Sequence, residues 1–169
     1  MSQVKNLLEK LKLGEVIPYL NLPSSKNGRV NLWDLKQKKN LVIVFHHGHN
    51  CIHCWEKVKE LAEAYDNFVE REAEILAVSF DGLETLRMYA EKLGIPFPLL
   101  SDEIGEPTER FTYTDVRYHA PFPSIFITDR FGVLRHQQIA SEAHALLDVR
   151  EILSWLLHIQ IECPECSHL

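Results

Sequence analysis

Two cysteines three positions apart, Cys51 and Cys54, lie in a stretch crowded with reactive side chains: His46, His47, His49, Cys51, His53 and Cys54. A Cys-x-x-Cys pair does one of two kinds of chemistry in a reducing environment, redox exchange or metal binding. The exchange reading assigns Cys51 as nucleophile and Cys54 as resolver. A first cysteine at a helix N-terminus faces unpaired backbone N–H groups and the positive end of the helix dipole, which favour its thiolate. The second cysteine, one turn on, can displace a mixed disulfide and close the ring. His53 lies between them, and as a cation would stabilise the Cys51 thiolate further. The opposing reading makes it a solvated helix residue. His46, His47 and His49 are each read singly as polar loop residues. Together they offer thiol tuning or metal binding.

The surrounding elements must put Cys51 at a helix start. Leu41-Val42-Ile43-Val44-Phe45 reads as a strand buried on both faces. After the cysteines, Trp55, Val58, Leu61, Ala62, Tyr65, Phe68 and Val69 recur at helical spacing. Ile75–Phe80 reads as a second buried strand, and Thr85–Leu93 as a helix stopped by Gly94. Ser124–Ile127 and Val133–Gln137 are predicted strands joined by an Asp129–Gly132 hairpin turn. A turn is predicted over Pro23–Gly28. Short amphipathic helical character is expected over residues 2–12, and a long closing helix from about Glu142 to His158. The order predicts an α/β fold, a central mixed sheet flanked by helices on both faces. The chain divides into one domain over residues 1–160 and a tail, 161–169.

The 169 residues carry 18 basic and 24 acidic side chains, a net charge of −6. That balance opposes a nucleic-acid or polybasic membrane surface. No apolar run reaches the roughly 18 residues of a membrane span. The opening MSQVKNLLEKLKLGEVIPYL lacks the apolar core of a secretory signal, so a cytoplasmic location is expected. The tail holds a second pair, Cys163 and Cys166, in a CPEC knuckle. It is a candidate secondary redox or metal pair. A closing helix of about 17 residues would carry it roughly 25 Å from the first, so the two pairs are expected far apart.

The chain resembles the redoxins of the alkyl hydroperoxide reductase / thiol-specific antioxidant family, which are thioredoxin-like and related to peroxiredoxins. The likeness runs from about Gly14 to Gln138. It rests on Gly14-Glu-Val-Ile-Pro18, Asn31-Leu-Trp-Asp-Leu35, Val42–Phe45, Phe97–Asp102 and above all Pro123–Leu134. It implies a thioredoxin-like sandwich, and a cis Phe122–Pro123 bond facing the cysteines as a supporting element. The peroxidase branch carries PxxxTxxC. With Cys54 in the peroxidatic place, this chain has His47 for the proline and Cys51 for the threonine. Pro123 occupies the place of the peroxide-polarising arginine. Asn50 stands where thioredoxins have tryptophan, and the strand before the cysteines holds no acid.

Three readings follow. The first is a thiol–disulfide oxidoreductase acting on protein thiols or disulfides, with a thioredoxin-type reductant. The second is a peroxiredoxin-like thiol peroxidase with Cys54 peroxidatic. The third is a metal-binding or interaction module on the cysteine–histidine clusters. No cofactor is required by the first two, and no metal site is assigned.

Overall fold

The computed structural model describes residues 6–162. Its elements begin with a hairpin, β1 (Asn21–Pro23) and β2 (Arg29–Asn31), and a short helix α1 (Leu32–Leu35). Strand β3 (Asn40–Phe45) leads to α2 (Ile52–Glu63) and α3 (Tyr65–Glu70). Then come β4 (Ala73–Ser79), α4 (Leu83–Leu93), β5 (Leu99–Ser101) and α5 (Glu106–Glu109). A small pair, β6 (Thr114–Asp115) and β7 (Ala120–Pro121), precedes β8 (Ser124–Thr128) and β9 (Leu134–Ile139). A 3₁₀ turn (Ala143–Ala145) and α6 (Val149–Glu162) close the described chain.

The main sheet has the order β5-β4-β3-β8-β9. β3 pairs parallel with β4 and antiparallel with β8, so it is central and the sheet is mixed. All six β3 residues are buried, because both sheet faces are covered. Its side chains alternate between two cores. Val42 and Val44 join Val58, Leu61, Phe68, Leu86, Ile152 and Leu156, beneath α2, α3, α4 and α6. Leu41, Ile43 and Phe45 join Leu20, Leu32, Phe111 and Phe126, under the N-terminal hairpin, α1 and the segment after α5. Each such fully buried side chain contributes roughly 1.5–3 kcal/mol. The fold is the expected thioredoxin-like α/β sandwich.

The predicted turns are present. Residues 24–28 connect the first hairpin, and Asp129 Oδ1 accepts from the Phe131 and Val133 N–H groups at 2.9 and 3.1 Å in the second. Gly94 ends α4 in the left-handed region.

Three expectations need correction. Residues 6–12 hold no helix. The Leu7 N–H donates to the Ile139 carbonyl at 2.8 Å, so this backbone is held against the β9 edge, and Leu7 and Leu11 seal the core there. The closing helix starts at Val149, not Glu142. Asp148 and Glu151 cap each other reciprocally: the Glu151 N–H donates to Asp148 Oδ1 at 2.8 Å, and the Asp148 N–H to Glu151 Oε1 at 3.3 Å. The Phe122–Pro123 bond is trans, as is every described peptide bond. The trans form is the intrinsically favoured one, and in it the Pro123 carbonyl accepts from the Ala140 N–H at 2.9 Å. The second CxxC pair, Cys163 and Cys166, and its separation from the first lie outside the described residues, as does Val4.

Candidate active site

β3 ends at Phe45 and delivers the chain into a tight loop at the C-terminal edge of the sheet. Gly48 is essential to that loop. Its φ is +84°, and a Cβ there would meet Asp81 Oδ2 at 2.6 Å. Asp81 fastens the loop by accepting from the His49 N–H at 3.0 Å, by a contact with the His49 ring, and by accepting from Ser79 Oγ–H at 3.0 Å. The Cys51 N–H donates to the Gly48 carbonyl at 3.1 Å, which sets Cys51 as the N-cap of α2.

The cap bond is made by sulfur. Cys51 Sγ accepts from the Cys54 N–H at 3.4 Å, and Cys54 Sγ accepts from the His47 N–H at 3.3 Å. Cys54 is fully buried, whereas Cys51 keeps 7% of its surface. The two sulfurs share one proton. The Cys51 thiol is lowered from 9.0 to about 4, first by the hydrogen bond from the Cys54 thiol, then by His47 and the Cys54 N–H, against an opposing burial effect. Cys54 is pushed well up, by donating that bond and by burial. The arrangement therefore favours the thiolate at Cys51 and the proton at Cys54.

His47 is the residue the sequence left undistinguished. Its ring is fully buried, with Nε2 at 2.9 Å from Asp115 Oδ2. Tyr118 stacks on it with centroids 4.0 Å apart. Arg117 holds Asp115 through two bonds of 3.0 and 2.8 Å, and depresses its carboxyl against the effect of burial. His47 Nδ1 has no hydrogen-bond partner. A ring nitrogen of His47 and both sulfurs lie within 4.8 Å of one another, so these three are the side chains placed to hold a metal ion. Asp115 lies 68 positions downstream on β6, with nothing in the local sequence to link it to His47.

His46 is buried and faces Trp55 edge-on, with its imidazole lowered to about 4, first by desolvation. His53 is exposed on the first turn of α2 and bonds to Glu56 at 3.3 Å. Pro123 precedes β8, whose Ser124 pairs with Phe45, so it lies at the same sheet end as the cysteines. Ala143 of the 3₁₀ turn packs on both cysteines.

The AhpC/TSA family pattern matches residues 13–137, most of the chain. The chain belongs to the AhpC/TSA family. Among curated relatives of this AhpC/TSA chain, Peroxiredoxin Bcp of Escherichia coli K12 is 27% identical over 135 residues, 76% of this chain and 86% of that protein. The chloroplastic Peroxiredoxin Q of Sedum lineare is 24% identical over 143 residues, 82% and 76% of the two chains. The match to Peroxiredoxin bcp1 of Schizosaccharomyces pombe, 28% identical, takes in 57% of this chain and spans only 49% of that protein. Solved structures share the fold. The reduced 2-Cys peroxiredoxin of Plasmodium vivax superposes with a TM-score of 0.79 at 23% identity, covering 89% of this chain and 82% of the other. Peroxidoxin BcpB of Mycobacterium tuberculosis gives 0.76 at 19%, covering 88% and 98%. This AhpC/TSA chain is a redox enzyme, a thiol–disulfide oxidoreductase or peroxiredoxin-like antioxidant enzyme. Among the described residues, no helix is long and apolar enough to cross a membrane.

Proposed function

We propose that the chain catalyses thiol–disulfide exchange, with Cys51 as the attacking sulfur and Cys54 as the resolving one. The observation that carries this is the asymmetry of the pair, a capped, thiolate-favouring Cys51 in front of a fully buried Cys54 that retains the proton. The Cys51 thiolate attacks a substrate disulfide, forms a mixed disulfide and expels one substrate thiolate. Cys54 then loses its proton and attacks Cys51 Sγ. The second substrate thiolate leaves and an intramolecular disulfide remains. A ring nitrogen of His47, whose Nε2 is held by Asp115, lies within 4.8 Å of the Cys54 sulfur and would serve as the base for its proton. A protein thiol or a thioredoxin-type reductant would return the pair to the dithiol.

Peroxide reduction is the second reading, and the comparisons favour it, since the curated relatives are named peroxiredoxins. The same pair supports it in a modified form. The Cys51 thiolate would take one peroxide oxygen as a sulfenic acid, releasing the alcohol or water, and Cys54 would close the disulfide with loss of water. Full burial opposes Cys54 itself as the peroxidatic sulfur. The threonine and arginine places hold Cys51 and Pro123, so neither supplies a donor to the peroxide oxygens.

Rapid mixing of the reduced protein with a model disulfide and, separately, with hydrogen peroxide tests both. The expected result is fast exchange, abolished in Cys51→Ser and arrested at a mixed disulfide in Cys54→Ser, with peroxide no faster than for an ordinary thiolate. Peroxide consumption well above that level would install the second reading. Retained exchange in Cys51→Ser would overturn the assignment of nucleophile in both.

A further inference from the structure

The cluster His47, Cys51 and Cys54 has a property that neither redox reading uses. Its three soft or borderline donors already converge to within 4.8 Å of one another. Three ligands in a trigonal plane, each about 2.3 Å from the metal, stand about 4.0 Å apart, so closure onto an ion needs a contraction of at most about 0.8 Å. A second observation points to a ligand independently. The His47 side chain is wholly buried, yet its Nδ1 has no partner. Its other nitrogen is anchored on Asp115, which Arg117 anchors in turn. That is the carboxylate–histidine support that metal-ligating imidazoles need.

We propose that Cys51, Cys54 and His47 bind one copper(I) ion, three-coordinate through the two sulfurs and Nδ1. The choice of ion follows from donors and enclosure. Two thiolates and an imidazole suit copper(I) and zinc alike. Zinc requires a fourth ligand, a protein group or water. Cys54 and the His47 ring are fully buried, and only 7% of Cys51 is exposed, so little of the cluster faces solvent. That enclosure favours a three-coordinate ion over a four-coordinate one with a bound water. On binding, each sulfur coordinates as a thiolate, a Cu–S bond forms to each, and whatever S–H proton the pair holds is released to solvent. No electron is transferred, and no disulfide or peroxide takes part, so the proposal stands or falls separately from the exchange reading.

The test uses the full-length chain, reduced and anaerobic, carrying Cys163→Ser and Cys166→Ser so that stoichiometry reports on one site. Copper(I) is titrated against a competing chelator, and zinc(II) in parallel. The expected result is one copper(I) per chain and weaker zinc binding. Asp115→Asn should weaken copper(I) by about 10–100-fold, the usual effect of losing such support, and His47→Ala by at least as much. X-ray absorption at the copper edge of the parent protein should show two sulfurs and one nitrogen, a readout that survives if a variant fails to fold. Copper(I) held as tightly in His47→Ala, a sulfur-only ligand set, or preferential zinc binding would each overturn the proposal. Disulfide exchange, measured separately on the parent, distinguishes failure of this site from failure of the exchange reading.

Discussion

At the scale of single residues, the site's character depends on which histidine reaches the sulfurs. His53 lies between the two cysteines in sequence, yet it points to solvent and to Glu56. His47, four positions before Cys51, is buried beside them and helps to lower the Cys51 thiol. Alkylation of the reduced protein followed against pH should accordingly give a Cys51 midpoint near 4. His47→Ala should move it upward and His53→Ala far less. An equal shift in the two variants would exchange their roles. The same lowering has a stability consequence with a definite sign. The folded thiol lies below its unfolded value of 9.0, so its contribution is fully present above about pH 9. It is lost as pH falls from there through about 4. Denaturation midpoints of the reduced protein should therefore fall faster over that range than those of Cys51→Ser.

At the scale of elements, α2 does more than present Cys51. Its Lys57 is buried and donates to the carbonyls of Leu146 and Leu147, tying α2 to the segment between the 3₁₀ turn and α6. Burial lowers its pKa, with Glu60, Asp148 and Glu151 opposing that effect. Those carbonyls belong to the stretch that was expected to be the first turns of a helix. Lys57 and the Gln138 side chain, which accepts from the Leu147 N–H at 2.9 Å, satisfy that backbone instead. Because Ala143, three residues earlier, packs on both cysteines, this tie also fixes one wall of the site. Lys57→Met should keep the apolar stem and leave two carbonyls without their donor. A loss of about 1–3 kcal/mol in urea unfolding is expected, together with faster alkylation of Cys54 as the wall loosens. An unchanged unfolding midpoint would mean that water replaces the ammonium at no cost.

At the scale of the whole molecule, an aromatic cluster on one side of the sheet carries much of the stability. Phe45, Phe111 and Phe126 form a triangle with ring centroids 5.3, 5.6 and 5.4 Å apart, joining β3, the segment after α5, and β8. All three belong to the core on the opposite side of the sheet from α2. Phe126→Ala should cost about 3–5 kcal/mol, as deletion of a buried ring in a packed core does. The Cys51 alkylation midpoint should stay where it is. A shift of that midpoint alongside the lost stability would mean that the two faces are coupled through β3.

What the sequence determined by itself was local and periodic. The β-branched run over Leu41–Phe45, Gly94 as a stop and the Asp129–Gly132 turn each rest on neighbours in the chain, and each appears as expected. So does Cys51 at a helix start, since strand, loop and helix follow one another directly. The helical stripe expected from Trp55 to Val69 is instead divided: α2 ends at Glu63, α3 begins at Tyr65, and Val69 is exposed. The Asp148–Glu151 capping pair was also written in the sequence, but the apolar spacing of Ala145 and Leu146 masked it. Only the tertiary structure decided the rest. Residues 6–12 form no helix, because Asn6 and Leu7 are held against the β9 edge and its free hydrogen-bonding groups. The Asp115–His47 contact joins residues 68 apart. Which of four nearby histidines turns inward, including His46 on Trp55, depends on how the β3 edge, the β6–β7 pair and α2 meet. Burial then sets the chemistry, because desolvation and partner geometry, not residue type, place the proton of the dithiol on Cys54.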